Sequence, residues 1–464
     1  MAAREWVLVY EIGFRLNAYS ICSTAPSMSE NAASHMTSAP IASNSRIQSL
    51  DVLRGVALLG ILLLNILGFG MVAAGYFHPL VGLGENAAVN YTIWGIVNLF
   101  FEGSMRGLFS LLFGAGIVMF TTGIGTRSGR EKSPMLHYKR TFFLLLIGMF
   151  DAFVLLWTGD ILILYAVAGA VLYPLRKARP KTLISLSILC LLFSSAVFAI
   201  SGSVMQEARD AAIEIDSNPG ESHSEEKYQL AELWTSSENQ FQYNESAMQK
   251  ELEIRQGGYF EIAEYGAKNV IENWFFFVPL YMFWDCVGMM LLGMALYRLG
   301  FLSGKRTKKE YLRFTIIGFS IGLAVNGFEL YQGIVNDFDA LVVSGYFQGT
   351  YHLGRVGIAL GWLGAIMLFC QTNVLNGLRL RLAAVGRTAL SNYLLHSVLC
   401  LVIFSGAGFG LVGVLERWQL YVIVVLIWSL QLIVSPWWLK RYAFGPAEWL
   451  WRSLTYNSKQ KWRL

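Results

Sequence analysis

Asp51 and Arg54 stand three residues apart at the mouth of an apolar run, RIQSLDVLRGVALLGILLLN, that closes on Asn65. That spacing puts the carboxylate and the guanidinium on one helix face. From Val56 to Phe69 the only strongly polar side chain is Asn65, and a buried amide in lipid is costly and needs a partner. His78 follows in the next loop. Glu102 and Arg106 flank the start of the second apolar run, and Asp160 opens the fourth. Glu329 closes the seventh, and His352 and Arg355 open the eighth on a shared helix face. Counted along the runs, these groups fall at one membrane level, where they could form a polar site for acid–base chemistry or ligand binding. Each also has a plainer reading. Arg106 and Arg355 can snorkel to the interface, and Asp160 can cap a helix. Glu329 can be a solvated loop residue, and His78 and His352 can be structural. Deeper in the runs lie Asp151, Asp285, Asn392 and His396, which suit a proton relay or a ligand channel or interhelical hydrogen bonding. Gly386-Arg387 can meet a phosphate through backbone amides and a guanidinium, or be an ordinary basic flank.

The elements that must position these groups are membrane helices. The chain has 464 residues, 55% hydrophobic and 14% charged, against about 25% charged in soluble domains. Mean hydropathy is +0.47. Ten apolar runs approach spanning length, at 52–71, 105–123, 140–158, 160–176, 182–201, 275–298, 312–331, 353–371, 388–408 and 417–437. A bilayer core takes about 20 residues as helix, and helix satisfies every backbone group within the segment. The fold expected is all-α, a polytopic bundle of about ten transmembrane helices. Residues 85–103 are mixed in polarity and read as an interfacial helix.

Basic residues follow the even-numbered spans: Arg127, Arg130, Lys132, Lys139 and Arg140; Arg176, Lys177, Arg179 and Lys181; Lys305, Arg306, Lys308 and Lys309; Arg379, Arg381 and Arg387. The positive-inside rule puts that side, with both termini, in the cytoplasm. Residues 202–272 hold fifteen acidic and five basic residues, a charge of −10 that leaves +15 for the rest. They read as one acidic extracytoplasmic helical insertion. The organisation is therefore a tail at 1–45, spans one to five at 46–201, the insertion at 202–272, spans six to ten at 273–440 and a basic cytoplasmic tail at 441–464. The net charge of +5 reflects loop bias rather than nucleic-acid binding.

The tail at 1–45 is a poor secretory signal, and 23–45 reads as disordered. Met28 or Met36 is the expected natural start. The five cysteines, Cys22, Cys190, Cys286, Cys370 and Cys400, show no C-x-x-C spacing and read as packing residues rather than a metal or redox centre. Signatures of soluble enzymes, such as a phosphate-binding loop, G-x-S-x-G, H-E-x-x-H or a dinucleotide fingerprint, are absent. Gly288, Gly293, Gly357, Gly361 and Gly364 suit close helix packing.

RIQSLDVLRGVALLGILLLNI, RGLFSLLFGAGI at 106–117, GDIL at 159–162, GMALYRLGFL at 293–302, GRTALSNYLLHS at 386–397 and FGPAEWLWRSLTY at 444–456 form a set. The set resembles the YeiB-like family of bacterial inner-membrane proteins over roughly residues 46–458. That family is distantly similar to the transmembrane acyltransferases typified by heparan-alpha-glucosaminide N-acetyltransferase. The resemblance implies acyl-CoA as a cytoplasmic co-substrate, no permanently bound cofactor and an acceptor across the membrane. It matches Asn65 to an Asn near the end of the first helix, and His78 to a His in the next loop. His78 is then the base, Asn65 an oxyanion donor, and Arg387 with neighbouring basic groups the phosphate holder.

The site expected is thus Asn65, His78 and Asp160 for catalysis, with Arg106, Glu329, His352 and Arg355 for the substrate. Arg54, Arg387, Asn392 and His396 are assigned to the donor. The acceptor is a sugar, lipid or amine, membrane lipid is a partner, and a homodimer stays open as the assembly. A proton-coupled secondary transporter using Asp151, Asp285, Arg355 and His396 is the alternative, although no inverted repeat of broken helices is visible. A sensor or scaffold reading through the acidic insertion is a third.

Overall fold

The computed structural model describes residues 47–122, 133–220, 222–241, 245–275, 277–339, 341, 349–372 and 374–464. The amino-terminal tail with Met28 and Met36, Cys22, and the basic residues Arg127, Arg130 and Lys132 lie outside the described residues.

Each of the ten apolar runs forms helix, the element that leaves no backbone group open to lipid. The order begins with α1 (Gln48–Gly70), α2 (Ala73–Phe77), α3 (Ala87–Phe100), α4 (Ser104–Thr122), α5 (Pro134–Phe153) and α6 (Leu162–Leu172), the last tightening into a 3₁₀ turn at Tyr173–Lys177. Next come α7 (Pro180–Ser217), α8 (Glu225–Phe241), α9 (Glu245–Gln256) and α10 (Tyr259–Phe275). A π turn at Val278–Met282 leads into α11 (Phe283–Arg298), followed by α12 (Lys308–Val335) and α13 (Tyr351–Cys370). The chain closes with α14 (Asn376–Arg387), α15 (Ala389–Phe404), α16 (Arg417–Leu439) and α17 (Pro446–Tyr456). Among the described residues there is no strand, only an isolated bridge between Tyr442 and Arg463.

Among the described residues seven helices are long and apolar enough to cross a membrane, counting α3 with α4 as one, and α14 with α15 makes an eighth if that bent pair is a single span. The two expected spans outside this count are α5 and α6. The first opens with His137, Lys139 and Arg140. The second is 11 residues long, about 16 Å at 1.5 Å per residue, against a core of about 30 Å. Residues 85–103, expected at the interface, instead run on as α3 into α4, and the pair reads as a single 36-residue candidate span.

α1 is the axis of the bundle, with 72% of its apolar window buried, whereas α7, α12 and α16 bury only 17%, 22% and 28%. Their outward faces carry Ile188, Leu192, Ile317, Ile321, Leu426 and Ile433, an apolar surface too extensive for water. Glycines set the crossings. A Cβ at Gly55 would strike the Leu382 carbonyl, and one at Gly386 the Asp51 carbonyl, so α1 and α14 meet backbone to backbone. Gly114 and Gly293 do the same for α4 and α11, and Gly318, Gly322 and Gly357 for α12 and α13. Close approach of this kind replaces the hydrophobic effect as the force between helices in lipid.

α9, from the acidic insertion, docks on the carboxy-terminal end of α1. Arg255 donates to the carbonyls of Gly68 (2.9 Å), Phe69 (2.7 Å) and Met71 (2.5 Å). Terminal helix carbonyls lack internal partners, and a cation there also complements the helix dipole. Glu251 accepts from the Ala73 amide at 3.0 Å and pairs with Arg255 at 3.2 Å. Gln256 donates to the Val412 carbonyl, and Tyr259 of α10 to that of Val154. The insertion is therefore tied to three separate loops.

Candidate functional site

Between α14 and α15 the chain turns by 81° at Thr388. The amide groups exposed by that break are satisfied from α17. Glu448 accepts from the amides of Leu390 (2.7 Å) and Ser391 (3.2 Å) and from the Ser391 hydroxyl (2.5 Å). Burial pushes the Glu448 carboxyl up, and these hydrogen bonds pull against it. The break, together with the Gly55–Gly386 contact, sets Arg387 beside the Asp51–Arg54 pair, itself 3.1 Å apart.

A cavity of about 230 Å³ opens at this amino-terminal end of α1. Among the described residues Arg54, Arg140, Arg387 and Arg452 line it, together with the carboxylates Asp51 and Glu448. Its apolar wall comes largely from α4, α5 and α6, through Leu112, Phe113, Leu144 and Leu162 among others. Tyr393 and Tyr165 also face it. The Tyr393 hydroxyl accepts from the Ile161 amide at 3.2 Å and lies 3.4 Å from an Asp160 oxygen. Asp160 also accepts from the Ile163 amide at 2.8 Å, fixing the first turn of α6. Behind it the buried Asp151 carboxyl faces Asp160 and Ser397. One tyrosine thus separates the cavity from a pair of facing carboxyls.

A second polar group lies toward the other end of α1. Arg106 bonds Asp285 at 3.0 Å and the Tyr351 hydroxyl at 3.2 Å. His352 Nδ1 stands 3.3 Å from Asp285. Arg355 pairs with Glu102 at 3.1 Å, with the Asn326 oxygen at 3.1 Å and with Glu329, which also accepts from Thr350 at 2.6 Å. The space left among Asp285, Tyr351, His352 and Arg355 is about 10 Å³, the room of a single water. This is a packed ionic network joining α4, α11, α12 and α13.

Residues 296–458 match a family model described as a protein of unknown function, DUF418. The uncharacterised protein YeiB of Escherichia coli is 29% identical over 412 residues, covering 88% of this chain and 96% of YeiB. The chain is thus similar to YeiB over most of its length. The uncharacterised protein YxaH of Bacillus subtilis is 28% identical over 438 residues, covering 91% of this chain and 97% of YxaH. An uncharacterised 39.9 kDa protein from the amylase 3′ region of Bacillus acidopullulyticus is 26% identical over 434 residues, covering 90% of this chain and 96% of its own. None of these names carries an activity. The region matched by the family model takes in Arg355, Arg387, Tyr393, Glu448 and Arg452.

The expected site residues do not gather in one place. Arg54 and Arg387 line the cavity, and Asp160 lies behind its Tyr393 wall. Arg106, Glu329, His352 and Arg355 come together, in the ionic network. Asn392 and His396 lie away from the cavity lining. Asn392 donates to Thr388 (2.9 Å) and Ser435 (3.0 Å), and His396 meets Gln431 at 3.1 Å, tying α15 to α16. Asn65 is half-buried on α1, eleven residues beyond Arg54, or about 16 Å along the helix. His78 accepts from the Leu80 amide at 3.3 Å and faces the Phe338 ring at 6.0 Å. Burial lowers its pKa, and among the described residues no hydrogen bond or ion pair joins it to Asn65 or Asp160. The sequence reading passed over Arg140, Tyr393, Glu448 and Arg452. A signal was there: Glu448, Trp451, Arg452 and Thr455 fall at helical spacing on one face of α17, within the motif FGPAEWLWRSLTY.

Proposed function

We propose that the protein is an integral-membrane acyltransferase of the bacterial inner membrane, with both termini cytoplasmic. It moves an acyl group from a cytoplasmic acyl-CoA to a sugar, lipid or amine acceptor on the far side. The observation that carries this reading is the cavity that is cationic at its rim, apolar along its wall and backed by Tyr393 and Asp160. In this reading the Asp160 carboxylate takes the proton of the acceptor hydroxyl or amine by way of the Tyr393 hydroxyl that stands between them, as that group attacks the thioester carbonyl. The sulfur leaves and ends as the thiol of coenzyme A. Asp160 thereby replaces His78 as the base, and Asn65 remains the amide donor on the acceptor side.

The test is release of coenzyme A from acetyl-CoA and palmitoyl-CoA by the purified protein in proteoliposomes. Asp160→Asn keeps the hydrogen bond to α6, since Asn is as good a cap as Asp, but loses the base. General-base catalysis contributes about 10²- to 10⁴-fold, so turnover falls by that order while thermal stability holds. Equal turnover in the variant removes Asp160 from the role, and an inert wild type removes the reaction. Facing carboxyls hold a proton between them, and Asp151 opposite Asp160 therefore favours proton-coupled transport as a second reading. Solute uptake that follows a proton gradient and vanishes in Asp151→Asn, with no acyl-CoA consumed, selects it.

A further inference from the structure

Arg417 stands in the first turn of α16 and is 0% exposed. Its Nη2 donates to the Gly75 carbonyl at 3.0 Å and lies 3.5 Å from that of Val81. Among the described residues its Nε and Nη1 have no hydrogen-bond partner, and no carboxylate is among the groups that act on its charge. The neighbouring Glu416 carboxylate is taken up elsewhere, by Asn86, Asn90, the Glu85 amide and the Trp418 indole. A guanidinium keeps its charge inside a protein. Carbonyl dipoles share in solvating it, yet a cation removed from water is costly unless an anion joins it. The place adds to the cost, because the amino-terminal end of a helix already carries partial positive charge.

One turn along the same helix face is Tyr421, which acts on the Arg417 charge. Its buried hydroxyl also lacks a hydrogen-bond partner among the described residues. The segment that holds Arg417 through Gly75 and Val81 is in turn covered by the acidic insertion, where Val72, Ala74 and Val81 pack on Met248 and Leu252 of α9. Leu420 packs on Gly70 at the carboxy-terminal end of α1. These groups therefore lie at the opposite end of α1 from the arginine-lined cavity.

We infer that a small monovalent anion lodges against the Arg417 guanidinium and the Tyr421 hydroxyl, beneath α9. The unspent groups are all donors, so an acceptor completes them and a cation does not. One guanidinium is balanced by one negative charge, which fits a halide or a single carboxylate. Bound there, the anion ties α2 and the loop after it to the start of α16. A halide ion and the carboxylate of a small solute offer the same chemistry.

The experiment is melting of the full-length protein in a neutral detergent, with isethionate as the bulky reference anion. Chloride or acetate replaces isethionate stepwise at constant ionic strength. Wild type should gain melting temperature saturably, since a ligand of the folded state alone stabilises it. A rise with chloride assigns the halide, and a rise with acetate alone assigns the carboxylate. Arg417→Gln should abolish the rise. Tyr421→Phe, which removes only the hydroxyl, should keep the fold and weaken the apparent affinity about tenfold or more, the size of a lost hydrogen bond to a charged group. The site is overturned if neither anion shifts wild type beyond isethionate, or if every folded variant of the two responds as wild type does. The readout does not depend on acyl transfer, so its failure leaves that reading untouched.

Discussion

Arg355 meets Glu102, Asn326 and Glu329 in the interior while only 4% exposed. Removing one partner from a buried ionic set leaves the others uncompensated, at a cost of about 3–5 kcal/mol. Arg355→Ala is therefore expected to lower the melting temperature sharply and to cut the yield of folded protein. Asp160→Asn should do neither. Melting curves of the two variants side by side check this, and equal stability would mean that the network is not holding α4, α12 and α13 together. Glu416 behaves differently because it lies at a loop. It accepts from Asn90 (3.0 Å), Asn86 (3.1 Å), the Glu85 amide (3.1 Å) and Trp418 (3.0 Å). The bond from Asn90 leads in lowering its pKa from the ordinary 4.5. A depressed carboxylate contributes stability that is present above its unfolded value and lost as pH falls through the folded one. Wild type should therefore lose more stability than Glu416→Gln between about pH 5 and pH 3, read as melting temperature against pH. Parallel curves would remove Glu416 as the tie between the 83–90 loop and α16.

The positions of the helices follow from apolar length, so the ten runs were readable from residue types, and α1, α11 and α13 lie close to the runs expected for them. What residue types do not carry is where a helix breaks. GRTALSNYLLHS reads as the opening of one span, yet Thr388 separates α14 from α15 there, because Glu448, 60 residues on, supplies the partners the broken turn needs. For the same reason the cavity was only half legible. Arg54 and Arg387 stood out as helix-end charges, whereas Arg140 meets Phe120 and Trp451, and Trp451 with Arg452 comes from α17, far along the chain. His78 shows the converse: its type and place suggested a base, and its Nδ1 accepts from the Leu80 amide beside the Phe338 ring. Within the acidic insertion, α9 is held by Arg255 across the end of α1. Arg255→Ala removes three bonds to carbonyls, each worth about 1.5–3 kcal/mol when the donor is charged. Faster hydrogen exchange and proteolysis confined to residues 245–256 are expected. Unchanged protection there would show that other contacts hold the insertion in place.

At the scale of the whole molecule, α1 separates two kinds of chemistry. Its amino-terminal end borders a cavity lined by Arg54, Arg140, Arg387 and Arg452, and its carboxy-terminal end lies under an acidic insertion. A 23-residue helix spans about 34 Å, the thickness of a bilayer core. An arginine-lined cavity at one end and a covered face at the other suit the proposed reaction, which joins molecules from the two sides of a membrane. The YeiB-like relatives match this chain over almost their full length, 96% and 97% for YeiB and YxaH, so the same division along α1 is expected in them.

The most direct measurement compares lipid and glycan acylation profiles of a strain lacking the gene with the same strain carrying wild type or Asp160→Asn. Acyl transfer at this site predicts one acylated species that disappears on deletion, returns with wild type and stays absent with Asp160→Asn. A profile indifferent to the deletion, or fully restored by Asp160→Asn expressed at the wild-type level, would contradict it.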